Sequence, residues 1–256
     1  MKILLTNDDG IMAPGIQTLA AELRQAGHTL YVIAPDRERS AASHSLTLRT
    51  DIIVSKIGQD EYAVSGTPAD CAVIAMQKIL KDPVDLVISG INAGQNMGED
   101  VLYSGTVAAA VEATLQGYKA IAVSINSYSD QKYEVAAQWM RRLLDLGIDR
   151  LVEPHCVLNI NVPNIPLEEV KGIRLTRIGH RKYYNFIKIT AEDENGFSYR
   201  IGGDQPVWDK AAGTDAEAVG NGYISITPLG FDLTHGGSFP ELLDWLETNS
   251  LLKLES

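Results

Sequence analysis

Ile3-Leu4-Leu5-Thr6-Asn7-Asp8-Asp9-Gly10 is an apolar run that stops abruptly on two adjacent carboxylates and a glycine. Successive strand residues point to opposite faces, so an apolar run without polar alternation predicts a strand buried on both faces, as in a parallel sheet covered by helices. Ligand sites of such sheets lie beyond the carboxyl ends of the strands. Asp8 and Asp9 stand at that end, where the chain turns and Gly10 permits the turn. Two anionic oxygens side by side repel each other, and a hard divalent cation, Mg²⁺ or Mn²⁺, offsets the repulsion. Taken alone, Asp-Asp-Gly reads equally well as a turn with solvated aspartates.

Downstream, strands and helices alternate. Pro14 opens a helix with Ile16, Leu19, Ala20 and Leu23 at helical spacing, and Gly27 stops it. Residues 29–34 read as a second buried strand broken by Pro35, which completes a βαβ unit. Residues 37–43, small and polar, predict a loop over the sheet's carboxyl edge, and less regular strands are expected at 46–54 and 62–64. Thr67-Pro68-Ala69-Asp70 is a helix start with a capping threonine, proline at the first helical position and an acid in the first turn. Further strands are predicted at 84–89, 120–123 and 157–161, with helices at 107–113 and 134–146.

The stretch 90–98, with three glycines and the asparagines Asn92 and Asn96, predicts a second functional loop at the same edge. Ser104-Gly105-Thr106 then leads into a small-residue helix whose amino terminus suits an anion. After Pro163 the texture changes: Ile173-Arg174-Leu175-Thr176-Arg177 alternates, and Tyr183-Tyr184-Asn185-Phe186 is aromatic-rich, so antiparallel hairpins are expected. Core-like segments return at 223–227 and in a final helix around 239–246. The expected architecture is α/β: a doubly wound, mostly parallel Rossmann-like sheet in one domain, 1–256. Its core spans about 1–165 and 220–248, with a β-hairpin arm at about 170–215.

A chain of 256 residues is long enough to bury a large core. Its formal charge of -11 argues against gripping a nucleic-acid polymer, whose phosphates demand clustered cations. A small phosphorylated metabolite remains compatible, because one metal ion and a few aimed amides reverse the field locally. Cys71 and Cys156 are far apart and sit in apolar surroundings, which predicts buried free thiols. The apolar stretch after Met1-Lys2 is too short for a secretory segment, and no run is long enough to span a membrane, so the expected compartment is the cytoplasm.

Asp8-Asp9, Ser40, Asn92 and the Ser104-Gly105-Thr106 turn all fall at predicted strand ends, and a doubly wound sheet gathers those ends on one rim. Two carboxylates, a hydroxyl and an amide oxygen form an all-oxygen set suited to a hard cation. Each has a plainer reading: Ser40 as a turn residue, Asn92 in a left-handed position, Thr106 as a helix cap. His44, near Ser40, reads as a solvated loop histidine.

Five motifs stand in order: Asn7-Asp8-Asp9-Gly10, Ala34-Pro35-Asp36-Arg37 with Arg39-Ser40, Gly66-Thr67-Pro68-Ala69-Asp70-Cys71, Ser89-Gly90-Ile91-Asn92, and Tyr103-Ser104-Gly105-Thr106. On these the chain resembles the SurE survival-protein phosphatases, metal-dependent nucleoside-monophosphate phosphatases; residues 180–215 match least. The resemblance implies one divalent cation per subunit on Asp8, Asp9, Ser40 and Asn92, and a phosphate pocket at Asn96, Ser104, Gly105 and Thr106. It implies hydrolysis of nucleoside 5'- and 3'-monophosphates and, in some members, of short polyphosphate. It also implies a homodimer or homotetramer in which the arm and the C-terminal segment reach a neighbour.

Either Asp8 attacks phosphorus or it orients a water that does. Haloacid-dehalogenase-type phosphatases space their acids as Asp-x-Asp, so adjacent acids favour Asp8 as ligand and base. Two rivals from other classes are a Mg²⁺-binding receiver module and a non-catalytic nucleotide-binding regulator. The receiver also carries paired acids, but it needs a phosphoacceptor aspartate at a central strand end, where this chain has Ser89-Gly90-Ile91-Asn92.

Overall fold

The structure is a computed structural model that describes residues 1–182, 187–201, 207–209, 211–249 and 251. Tyr183, Tyr184 and Phe186, on which the hairpin expectation partly rests, lie outside the described residues. The first half runs β1 (Lys2–Thr6), α1 (Pro14–Gln25), β2 (Thr29–Pro35), β3 (Val54–Gly58), β4 (Glu61–Val64), α2 (Pro68–Ile74), β5 (Leu86–Ala93), α3 (Gly105–Leu115) and β6 (Ala120–Asn126). It continues as α4 (Tyr133–Asp145), β7 (Cys156–Pro163), β8 (Ile173–Leu175), β9 (Arg181–Lys182), β10 (Ile187–Asp193), β11 (Gly196–Ile201) and β12 (Val207–Trp208). It ends with α5 (Asp215–Gly220), β13 (Ile224–Gly230) and α6 (Phe239–Thr248).

The main sheet has the order β3-β4-β2-β1-β5-β6-β7-β13-β8. From β4 to β7 every pair is parallel, while β3 and β13 run antiparallel to β4 and β7. Winding starts at β1, moves outward through β2 to β4, and resumes on the other side at β5, so the topological switch lies between β1 and β5. Strand β1 needs no polar alternation because both faces are covered. Ile3 and Leu5 pack with α1 and α4, and Leu4 packs with α2 and α3. All three are fully buried, each contributing about 1.5–3 kcal/mol. Helix α2 begins at the expected capping threonine, and the structure adds a capping box in which Thr67 and Asp70 satisfy each other's backbone N–H groups.

Three local expectations are corrected. Strand β5 continues through Gly90 and Ile91 to Ala93, so Asn92 sits in a strand paired with Ser124 of β6 rather than in a loop. Gly90 makes this possible: its φ is +133°, and a Cβ there would lie 2.2 Å from Val123 O. Residues 46–53 form no strand, because Thr47 N–H donates to Asp70 Oδ1 at the start of α2, and Leu46, Leu48 and Ile53 are exposed. The 173–175 segment pairs parallel with β13 at the sheet edge instead of forming a hairpin. The hairpin expected in this region is β10 with β11, antiparallel and exposed along its length. Helix α6 likewise buries no residue, leaving Phe239, Leu242, Leu243 and Trp245 exposed. Among the described residues no helix is long and apolar enough to cross a membrane.

Candidate active site

The turn after β1 is built by Asn7 and Gly10. Asn7 is fully buried; its Nδ2 donates to Gly10 O at 2.9 Å and its Oδ1 accepts from Gly10 N–H at 3.2 Å. Gly10 has φ +102° and packs on the Arg37 backbone, 3.1 Å from where a Cβ would stand. That contact brings in the loop after β2: Arg39 N–H donates to Asp8 O at 2.7 Å, which places Ser40 beside Asp8. The loop is then strapped down farther along. Ser43 Oγ donates to Leu102 O at 2.8 Å, and His44 Nε2 hydrogen bonds to Glu112 Oε2 of α3 at 2.9 Å. His44 is therefore a structural tie and not a solvated loop residue.

Asp8, Ser40, Asn92, Asn96 and Ser104 line one cleft of about 920 Å³. Asp9 stands beside it, its Oδ2 accepting from Ala93 N–H at 2.9 Å. Asn92 Nδ2 donates one N–H to Gly94 O at 2.7 Å, and its amide oxygen is the side-chain atom able to coordinate a cation. Ser104 caps α3, accepting from Val107 N–H at 3.0 Å. Thr106 is not the cap: it stands behind Asp8 and donates to Asp8 Oδ1. Gly105 allows the helix to come this close, since a Cβ there would lie 2.7 Å from Asp8 Cβ and 2.9 Å from Oδ2. The amino terminus of α3, with its positive dipole end, thus abuts the acidic pair.

The family model for survival protein SurE matches residues 3–185. The 5'-nucleotidase SurE of Mannheimia succiniciproducens is 47% identical over 249 residues, covering 97% of this chain and 100% of that protein. That of Carboxydothermus hydrogenoformans is 45% identical over 256 residues, covering 96% and 97%. The crystal structure of the SurE protein from Aquifex aeolicus superposes with a TM-score of 0.86 at 38% identity, covering 96% of this chain and 100% of that one.

The chain belongs to the SurE family.

In this SurE chain the acidic pair is electrostatically unfinished. Asp8, 5% exposed, has its carboxyl pushed up to about 6 by burial and by Asp9, against the opposing Thr106 hydrogen bond. Asp9 is also raised, first by burial, against the Ala93 N–H, and by Glu38. Among the described residues neither carboxylate has an ion-pair partner. A buried and an adjacent half-buried carboxylate without a cationic side chain, next to a hydroxyl and an amide oxygen, form a donor set that a hard divalent cation fits.

Two groups of residues that shape the cleft were not anticipated from sequence. Asn159 Nδ2 and Asn161 Nδ2 of β7 both donate to Asn96 O, at 2.8 and 2.9 Å, and Asn161 Oδ1 accepts from Asn96 N–H at 2.8 Å. They pin the loop after β5, and a signal for them exists: asparagines at period two inside Val-Leu-Asn-Ile-Asn-Val face one side of a buried strand. The second group ties the base of the arm to residues 98–100. Glu99 bonds His180 Nδ1 at 2.6 Å, Asp100 pairs with Arg181, and fully buried Asp215 accepts from Gly98 and Gly179 N–H, each at 2.9 Å. Those partners lie 36 to 117 residues apart, so no local pattern announces them.

Proposed function

We propose that this SurE-family 5'-nucleotidase is a divalent-cation-dependent phosphomonoesterase. It hydrolyses nucleoside 5'-monophosphates, and also 3'-monophosphates, to nucleoside and phosphate, and short polyphosphate is a further substrate. The names of the relatives support the 5'-nucleotidase activity. The observation that carries the cation dependence is buried Asp8 with half-buried Asp9 beside it, neither in an ion pair among the described residues, against the α3 amino terminus.

Asp8, Asp9, Ser40 and Asn92 would hold one Mg²⁺ or Mn²⁺ through oxygen. When bound, the cation supplies Lewis-acid polarisation of a phosphoryl oxygen and lowers the pKa of a nearby water. Ser104, Gly105 and Thr106, at the start of α3, and Asn96 across the cleft would receive the phosphoryl oxygens, with backbone N–H groups aimed where charge develops. Thr106 holds Asp8 in position through its hydroxyl. Asp8 accepts the proton of an attacking water, the water oxygen bonds to phosphorus, and the ester P–O bond breaks, its oxygen leaving as the nucleoside hydroxyl with a proton taken up from solvent. Phosphate release from a panel of nucleoside monophosphates and short polyphosphates, with Mn²⁺ and with EDTA, tests this. Cation-dependent turnover that EDTA stops reversibly is expected, and full-rate hydrolysis by metal-free protein refutes the site. Absence of turnover with any cation would favour a non-catalytic nucleotide-binding regulator.

The same proposal includes self-association. The β10–β11 hairpin exposes Ile187, Ile189, Phe197, Tyr199 and Ile201, and α6 exposes its apolar residues. A two-stranded hairpin is marginal in water by itself, and a second copy of the chain is the usual cover, giving a homodimer or homotetramer. Light scattering on the intact chain should give a multiple of 27.8 kDa. Replacing residues 187–201 by a short Gly-Ser turn should lower that mass, and a monomeric wild type or an unchanged variant refutes self-association through the hairpin.

A further inference from the structure

The cleft is much larger than a phosphate requires. Its volume of about 920 Å³ lies at the top of the range of about 300–1,000 Å³ that encloses whole small molecules. Besides Asp8 and Ser104 the cleft is lined by Tyr103, Tyr128, Arg181 and Ile201. Tyr103 and Tyr128 are 63% and 72% exposed. Among the described residues neither ring packs on another aromatic ring or a cation, and neither hydroxyl makes a hydrogen bond.

Tyr103 is nevertheless fixed at its backbone, and Tyr128 is held at its ring, by the loops that build the phosphate end. Tyr103 immediately precedes Ser104; its N–H donates to Asp100 O at 3.0 Å and its carbonyl accepts from Ser43 N–H at 3.2 Å. The Tyr128 ring rests against Gly94, two residues beyond Asn92, where a Cβ would meet ring carbon Cε1 at 2.3 Å. The charged groups of the same wall are already engaged. Glu99 is bonded to His180 and to Arg181 N–H, and Asp100 is paired with Arg181.

Resting on the phosphatase reading for the other end of the cleft, we propose that Tyr103 and Tyr128 are the nucleobase seat. The base is held by stacking on these rings while its phosphate lies at the α3 amino terminus. Every base presents a π-face, so the two rings themselves read aromaticity and not a hydrogen-bonding edge. The consequence is a nucleotidase that distinguishes a nucleotide from a sugar phosphate more strongly than it distinguishes one base from another.

The experiment compares AMP with ribose 5-phosphate, which carries the same 5'-phosphoryl ester and ribose but no base, on the full chain with Mn²⁺. Wild type should prefer AMP in kcat/KM by about 5- to 150-fold, the range that corresponds to stacking worth about 1–3 kcal/mol per base. Tyr103→Ala and Tyr128→Ala should each shrink that preference, mainly by raising KM for AMP, with ribose 5-phosphate kinetics within about twofold of wild type. Tyr→Phe at either position should restore it, because the ring and not the hydroxyl carries the contact. Calorimetric titration of metal-free protein with adenosine, which lacks a phosphate, should show binding that both alanine variants weaken.

Equal losses on both substrates, no loss on AMP, or a preference above about 100-fold for one base over all others would overturn the seat. A wild type that treats both esters alike and binds no adenosine overturns the seat and leaves the phosphatase reading intact. One that hydrolyses neither ester yet binds adenosine through these rings keeps the seat and overturns the phosphatase reading.

Discussion

Asp8→Asn and Asp9→Asn each lower nucleotide turnover by on the order of 10³-fold or more, beyond the about 10²–10³-fold that one lost transition-state donor costs. Either change removes an anionic oxygen from the proposed cation site without opening a cavity. A second readout separates loss of the cation from loss of fold. Burial holds the Asp8 carboxyl at about 6 in the folded chain, above the ordinary 3.8, so between these values the native state binds more protons than the unfolded one. Stability of the cation-free chain is therefore favoured at low pH and declines as pH rises toward the folded value. A divalent cation binds the deprotonated form and reverses that decline.

Mn²⁺ at about 100 times its Kd stabilises by about 2.7 kcal/mol, which raises Tm by about 5–10 °C for a chain of this size. The rise should be larger at pH 7.5 than at pH 5. In Asp8→Asn the rise should nearly vanish, and the metal-free variant should melt no lower than metal-free wild type at pH 7.5, since a neutral amide carries no charge to bury. A cation-independent Tm in wild type at pH 7.5 refutes the metal assignment.

Gly105→Ala is expected to reduce turnover by about 10²-fold or more while the chain stays folded. In an ordinary helix the change is favourable by about 1 kcal/mol. Here the new methyl would stand 2.7 Å from Asp8 Cβ, a separation that neither rigid partner relieves by rotation. Overpacking of this kind costs about 1–3 kcal/mol and is relieved by moving α3 away from the acidic pair. That displaces both Thr106, which holds Asp8, and the N–H groups proposed to receive phosphate. Thr106→Val, isosteric but lacking the hydroxyl, isolates the hydrogen bond from the steric effect. Circular dichroism should show both variants folded, and wild-type turnover in Gly105→Ala would remove the α3 amino terminus from the site.

Much of the frame is legible in the residues themselves because it depends on neighbours close in sequence. The uninterrupted apolar run before Asp8 predicts a strand covered on both faces, and β1 is one. Thr67 with Asp70 predicts a capped helix start, and α2 begins there. The rim argument gathers Asp8, Ser40, Asn92 and Ser104 from strand ends far apart in the chain, and these four do line one cleft. The local reading fails where a distant partner competes. Thr47 bonds Asp70 instead of a strand, residues 173–175 pair with β13 instead of a hairpin partner, and Thr106 turns to Asp8 because Ser104 takes the cap.

The sequence by itself determined the alternation of strands and helices, the acidic turn at the end of the first strand, and membership of a family through motifs in order. Only the tertiary structure decided that Asp8 is buried and raised, that Gly105 brings α3 against it, and that Tyr103 and Tyr128 share one cleft with the base of the arm. The physical reason is range. Periodicity, capping and turn chemistry act within a few residues and leave a local trace. Desolvation, steric approach and the meeting of side chains from separate loops depend on which distant segments the fold brings together.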